Sequence, residues 1–155
     1  MKTFRCLAVT LCACLFTGGA LRAQTIDPKL KIQTFFNIMV QGDVGKAYDA
    51  LFNGSNIAAR KPDAINVLRK QSEMGTSLYG KTLGCDLIDN KAYGTSVQRF
   101  VYVQKLEKYL LVWEFFYYKA DRDWNLVDVR FSDKLDLLRP SESLLAEDNA
   151  APGTE

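Results

Sequence analysis

The first half of the chain carries apolar residues at helical spacing. Asp27-Pro28 is typical of a helix start, because Asp can cap the first amides and Pro fits the first helical position. Gly42 ends that stripe, and Asp43 predicts a second helix that runs to the Asn-Gly-Ser-Asn segment at 53–56. Pro62-Asp63 predicts the start of a third helix. The residues that we assign to the buried sides of these helices are Ile32, Phe35, Phe36 and Met39, then Val44, Ala47, Tyr48 and Leu51, then Ile65, Leu68 and Met74.

From Lys81 the apolar period changes from helical to alternating, which predicts β-strands. The predicted strands are 82–89, 94–106, 109–119 and 124–132, with turn-like residues at 89–91, 107–108 and 120–123. Helices followed by an antiparallel meander indicate an α+β fold, in which the N-terminal helices pack on one face of a curved, mainly antiparallel sheet. We assign residues 24–139 to this single domain.

The order of these elements resembles the nuclear transport factor 2-like superfamily of cone-shaped α+β domains. The resemblance covers roughly residues 28–133 and lies in segments such as LKIQTFFNIMVQGDVGKAYDALF and DWNLVDVRFSD. It implies a pocket between helices and sheet, and often a dimer. The superfamily includes isomerases, dehydratases, ligand-binding proteins and exported domains of no known activity, so the resemblance does not assign a chemistry.

The aromatic-rich segment 109–131 divides into two faces if Lys119 pairs with Trp124. This register also pairs residue 117 with 126 and residue 115 with 128. One face, the valine face, then carries Arg99, Val101, Val103, Val112, Glu114, Phe116, Tyr118, Asn125, Val127, Val129 and Phe131. The other, the aromatic face, carries Phe100, Tyr102, Gln104, Trp113, Phe115, Tyr117, Trp124, Leu126, Asp128 and Arg130. We expect the helices to cover the valine face, because valine has no polar tip that needs a partner.

The aromatic face would then be a contact surface, because Trp and Tyr are enriched at protein interfaces. The candidate interface residues are Trp113, Phe115, Tyr117, Trp124 and Tyr102. The partner that we predict is a second copy of the chain, giving a homodimer. Two alternatives stay open: the aromatic side chains complete a large core, or a different protein binds them.

Glu114 is the leading candidate for a functional side chain, because it interrupts an apolar strand where an unpaired carboxylate would be costly. The candidate pocket residues are Glu114, Arg99, Tyr118 and Tyr48. One interpretation is an ion pair with Arg99 at the rim of the cone, which only bridges two strands. The functional interpretation makes Glu114 the polar anchor of an apolar pocket, or a general base. Asp128 and Arg130, two apart on one strand, are expected to pair with neighbouring strands or a second copy.

The first 23 residues have the order of a secretory signal peptide: two basic residues, a short apolar run, then small residues. Cleavage after Ala23 or after Ala20 fits, and acylation at Cys14 of a lipoprotein is a less favoured alternative. We therefore expect an exported protein, periplasmic or secreted, without a transmembrane segment. The composition of residues 140–155 predicts a disordered, solvated tail. Leu144-Leu145 is the one part of this tail for which packing on the domain is an alternative.

Charge and cysteine content narrow the function classes. Cleavage after Ala23 removes three basic residues and no acidic one, so 20 basic residues become 17 against 18 acidic ones and the net charge falls from +2 to −1. A basic surface that would bind nucleic acid is therefore not expected. Cys85 is the one cysteine of the mature chain and the chain has no histidine, so we expect no internal disulfide, no metal site and no cofactor.

Three functions remain as hypotheses. The first is an exported, non-enzymatic domain that dimerises through its sheet and binds a small apolar ligand or a protein in a helix–sheet pocket. The second is an isomerase-like or dehydratase-like enzyme that uses a pocket carboxylate and Tyr. The third is an interaction module whose core is filled. A cavity of about 300 Å³ or more that reaches Glu114 would favour the first two.

Overall fold

The structure is a computed structural model that describes residues 27–138. The predicted signal peptide, Cys14 and the predicted tail at 140–155 lie outside the described residues. The helices are α1 (Pro28–Val40), α2 (Val44–Phe52), α3 (Asn56–Arg60) and α4 (Pro62–Tyr79); the strands are β1 (Thr82–Tyr93), β2 (Val97–Leu106), β3 (Leu110–Lys119) and β4 (Trp124–Ser132); a 3₁₀ helix follows at Leu135–Leu138. No helix within the described range is long and apolar enough to cross a membrane.

The helix starts follow the sequence signals. The carboxylate of Asp27 accepts a hydrogen bond from the Lys29 amide, and that of Asp43 accepts one from the Lys46 amide, each at 2.9 Å. The short helix α3 was not predicted, because it occupies the region where turn residues indicated a break. Gly80 ends α4 with a φ of 90°, a conformation that favours glycine.

One inward assignment on α4 is wrong. Met74 is 70% exposed, whereas Ile65 and Ser72 are buried. Nine residues separate Ile65 from Met74, which is about two and a half helical turns, so the two side chains point to opposite sides. The sheet-facing side of α4 carries small residues instead. A Cβ added at Gly75 would lie only 3.3 Å from the Leu111 side chain. Close packing of α4 on the sheet therefore uses Ser72 and Gly75 rather than the larger methionine.

The strands form one antiparallel sheet in the order β1-β2-β3-β4, which confirms the predicted α+β fold and meander. β1 is longer than predicted, because it continues through the expected turn at 89–91 until Tyr93 pairs with Val97. The turn follows at Gly94, whose φ is 62°. Residues 89–91 pair with β2 through their backbone groups. The turn-like composition of this segment did not indicate that it continues the strand.

The pairing of β3 with β4 starts as predicted and then shifts. Lys119 pairs with Trp124 and Tyr117 with Leu126, as expected, but Phe115 pairs with Val129 instead of Asp128. A β-bulge at Val127 inserts one unpaired residue between the two registers. Because side chains alternate along a strand, every β4 residue after the bulge exchanges faces relative to the prediction.

The helices cover the aromatic face, so the prediction that they cover the valine face is wrong. The core between helices and sheet contains Phe35, Phe36, Tyr48, Phe100, Tyr102, Leu111, Trp113, Phe115, Tyr117 and Leu126, with Trp124, Val129 and Phe131 packed against it. Phe35 meets Trp113 edge to face, with ring centroids 5.2 Å apart. The Trp113 Nε1 donates to Gln104 Oε1 at 2.7 Å. Since the core itself supplies this partner, the polar tip of the indole does not prevent burial.

Candidate functional site

Four charged side chains form a row across the outer face of the sheet, the face opposite the helices. This charged row is Asp89 on β1, Arg99 on β2, Glu114 on β3 and Arg130 on β4. The Nε atoms of Arg99 and Arg130 donate to the two carboxylate oxygens of Glu114, one to each. Arg99 Nη1 also donates to Asp89 Oδ2 at 2.7 Å. The signs alternate along the row, so each charge has a neighbour of opposite sign.

Strand register explains how the row assembles. Val101 pairs with Asp89 on one side and with Glu114 on the other. Arg99 lies diagonal to Glu114 and forms the predicted ion pair with it, but the pair is buried on the two central strands and not at a rim. Arg130 pairs directly with Glu114 only because the bulge shifts β4 by one residue. Its predicted place on the opposite face is wrong for the same reason.

Burial differs along the row. The Glu114 side chain is 2% exposed and Arg99 is also buried, whereas Asp89 and Arg130 are 47% and 56% exposed. A buried carboxylate is tolerated when its oxygens are hydrogen-bonded and its charge is paired. The half-exposed ends contribute little by themselves, because solvent screens them. The geometry therefore indicates that the buried Glu114–Arg99 pair dominates the energetics of the row.

The predicted pocket residues do not come together. Tyr48 lies on the helix side of the sheet and donates to the Leu68 carbonyl at 3.0 Å. Tyr118 is on the outer face but is 45% exposed and lies four residues along β3 from Glu114, or about 13 Å. Neither tyrosine is placed to share a substrate with the carboxylate. Only Glu114 and Arg99 of the predicted four are in contact.

The candidate interface residues lie in the core instead. Trp113, Phe115, Tyr117 and Tyr102 are buried, and Trp124 is partly buried against the same cluster. Trp113 stacks on Phe115 and on Phe131, besides its contacts with the α1 phenylalanines. These side chains are consequently not available to a second copy of the chain.

Burial favours the neutral form of three tyrosines. Burial raises the pKa of Tyr102 to about 12, and burial also raises the pKa of Tyr117 and of Tyr48 above the usual value. All three phenols therefore stay neutral near neutral pH. The hydroxyls of Tyr102 and Tyr117 have no hydrogen-bond partner in the described part of the chain.

Cys85 lies half-buried at the edge of the core. Burial raises the pKa of its thiol, and the Asp86 carboxylate adds to that effect. A raised pKa leaves less of the reactive thiolate at neutral pH, so the residue is not an activated nucleophile. Between Asp27 and Leu138, no group of three Cys, Asp or Glu side chains is placed to hold a metal ion.

Four grooves are described here, and the two largest of them are open to solvent. One of 730 Å³ runs along the exposed side of α4 and includes Met74 and Leu78. Another of 650 Å³ lies between α2, α3 and α4, beside Arg69. Two smaller grooves measure 440 and 380 Å³. Glu114 lines none of these four, so none has the predicted carboxylate at its base.

Sequence reasoning missed one member of the row, Asp89, and a polar chain in the core. Arg130 was expected to pair with a neighbouring strand, and it pairs with Glu114 on β3. Asp89 was assigned to a turn. It lies instead on β1, next to β2, where its carboxylate pairs with Arg99. Gln104 donates to Thr82 Oγ1 at 2.7 Å and accepts from Trp113. The available signal was Gln104 itself, a polar residue between Tyr102 and Leu106 on one face of its strand.

The chain was also compared with known proteins. No family model matches it, and comparisons with curated proteins and with solved structures likewise gave no match. The function proposed below therefore rests on the geometry of the described residues and on the sequence.

Proposed function

We propose that this protein is an exported, non-enzymatic interaction module with a filled helix–sheet core. The observation that carries the proposal is the packing beneath the helices. Trp113, Phe115, Phe35 and Phe36 are buried there, and their ring centroids lie 5.0–6.2 Å apart in the contacts among them. Aromatic rings occupy the space in which a ligand pocket of this architecture would lie.

An enzyme of the isomerase or dehydratase type has less support. Such chemistry needs a carboxylate that faces the substrate, with a hydrogen-bond donor beside it. Both Glu114 oxygens accept from arginines on the outer face, and the buried tyrosines lie on the other side of the sheet. These contacts support a structural role for Glu114 in the sheet.

The remaining parts of the proposal are supported by the sequence and by the exposed surface of α4. Export is supported by the charged, apolar and small-residue order of residues 1–23. Membership of the nuclear transport factor 2-like superfamily is supported by helices that precede a curved antiparallel sheet. A contact role is supported by apolar side chains that α4 exposes on one side, at Val67, Met74 and Leu78.

A ligand screen tests the proposal. We expect the melting temperature of the mature full-length protein to stay unchanged with a steroid, a long-chain fatty acid or a monoterpene. A pocket ligand at 100 times its Kd would add about 2.7 kcal/mol of stability, which thermal unfolding detects easily.

Two variants sharpen the screen. Glu114→Gln tests the candidate carboxylate, and Asp128→Asn is the matched control at an exposed position of β4. Each variant is compared with its own ligand-free melting temperature. A saturable increase with one ligand, lost in Glu114→Gln and kept in Asp128→Asn, would contradict the proposal and favour the ligand-binding or enzymatic alternative.

A further inference from the structure

Two tyrosines are exposed at one end of the outer face of the sheet. Tyr93 is the last residue of β1 and Tyr118 the penultimate residue of β3, and they are 38% and 45% exposed. Val97, on the strand between them, pairs with Tyr93 on one side and with Tyr118 on the other. The two tyrosines therefore lie side by side across three strands, on the face opposite the helices. We call Tyr93, Val97 and Tyr118 the tyrosine row.

The spacing of the tyrosine row favours one backbone conformation in a partner. Neighbouring strands lie about 4.8 Å apart, so two strand spacings place the backbones of the tyrosines about 10 Å apart. Side chains on one face of a β-strand repeat about every 7 Å, and one turn of an α-helix rises about 5.4 Å. One turn of a polyproline II helix rises about 9 Å in three residues. Residues three apart in such a helix can therefore reach one tyrosine each.

The side chains of the tyrosine row also match the chemistry of proline. Proline-rich segments bind in surfaces lined by aromatic rings, against which the apolar proline ring packs. Val97 is half-buried and provides an apolar floor between the two tyrosines. A polyproline II segment has carbonyl acceptors that make no internal hydrogen bonds, and proline itself has no N–H donor. The phenol hydroxyls of the two tyrosines are donors that can pair with those carbonyls.

The Tyr93 ring has a neighbour that limits its motion. The Lys91 ammonium lies over this ring, 5.4 Å from the centroid, and the tyrosine is still 38% exposed. A side chain that is held in place before binding loses less conformational entropy when a partner docks. The contact with Lys91 therefore favours binding on the exposed part of the Tyr93 ring.

We propose that the tyrosine row binds a proline-rich segment of a partner protein, with prolines three residues apart on Tyr93 and Tyr118. The inference rests on the proposed interaction function, to which it adds a surface and a class of partner. A polyproline II segment is already extended before binding, so docking costs it little conformational entropy. The site lies on the outer face, outside the core. Failure to bind such a segment would therefore leave the filled core uncontradicted, whereas a pocket ligand would contradict the filled core alone.

NMR titration of the mature full-length protein with an oligoproline peptide tests the site. We expect saturable chemical-shift changes at the amides that border the tyrosine row, and none with a Gly-Ser peptide of equal length. Tyr93→Ala and Tyr118→Ala should each weaken binding about fivefold or more, because aromatic side chains carry much of the energy of such contacts. Tyr109→Ala is the matched control. Tyr109 is 49% exposed, but it lies beside Tyr79 at the opposite end of β3, so this variant should bind like the wild type.

The same titration with cellohexaose covers the other class of ligand that stacks on exposed aromatic rings. Saturable binding of cellohexaose without binding of oligoproline would overturn the proposal in favour of a glycan. Absence of saturable oligoproline binding would also overturn it, as would shift changes confined to another surface. Equal affinities of Tyr118→Ala and Tyr109→Ala would have the same consequence. All three tyrosines are exposed, so we expect the variants to keep the wild-type melting temperature, and the location of the shift changes is measured on the wild type without any variant.

Discussion

Replacing Trp113 with Ala is expected to lower the free energy of unfolding by about 3–5 kcal/mol. The side chain is buried and contacts four aromatic rings, two from α1 and two from the sheet. Removing the indole loses its burial energy and leaves a void that rigid neighbouring rings cannot fill. The substitution also leaves the Gln104 side-chain oxygen without the indole N–H that donates to it. Urea unfolding measures the change.

Trp124 is the matched control for this experiment. It is partly exposed, and Lys119 lies over its ring with the ammonium 4.9 Å from the centroid. Replacing Trp124 with Ala is expected to cost about 1–2 kcal/mol, because the side chain lies at the margin of the core and part of its surface is already in contact with water. Equal losses for the two variants would show that Trp113 is not the centre of the core, and would contradict the assignment of the helix-facing side.

Glu114→Ala should be the second strongly destabilising change, lowering the free energy of unfolding by about 3–5 kcal/mol. The variant leaves Arg99 buried, with the half-exposed Asp89 as its remaining partner in the charged row. Arg130 also loses its carboxylate but can turn to solvent, because its side chain is 56% exposed. The energetic cost is therefore expected to arise at the buried guanidinium. Urea midpoints at constant pH measure it.

Two further variants separate the buried pair from the rest of the row. Asp89→Ala removes only a half-exposed partner and should cost about 0–1 kcal/mol. The double variant Arg99→Met with Glu114→Leu should be less destabilised than Glu114→Ala, because apolar replacement removes both buried charges at once. A double variant at least as unstable as the single one would mean that packing, rather than the loss of the buried partner of Arg99, explains the effect.

Much of the fold was predictable because it depends on local signals. Asp27 and Asp43 cap the helices that they predict, and the alternation after Lys81 gives four antiparallel strands. The Lys119–Trp124 pairing followed from a loop of four residues. The Glu114–Arg99 pair was also predictable, because a carboxylate within an apolar strand needs a cation and Arg99 is the diagonal neighbour.

The wrong predictions concern strand register and the choice of buried face, which tertiary packing determines. No sequence signal marked the bulge at Val127, and that one residue moves Arg130 next to Glu114. The face assignment failed because it treated the polar tip of Trp113 as a cost. Gln104, which accepts from that tip, comes from the neighbouring strand. Patterns along one strand cannot show a partner on the next until the register is known.

Calorimetric titration of indole into the wild-type protein and Trp113→Ala tests the filled core most directly. Dry apolar cavities bind small aromatic molecules, and indole would restore both the ring contacts and the donor to Gln104. We predict saturable binding, one molecule per chain, to Trp113→Ala and no heat of binding with the wild-type protein. Saturable binding of indole to the wild-type protein would contradict the account, because it would show that the space between helices and sheet already contains a ligand-sized cavity.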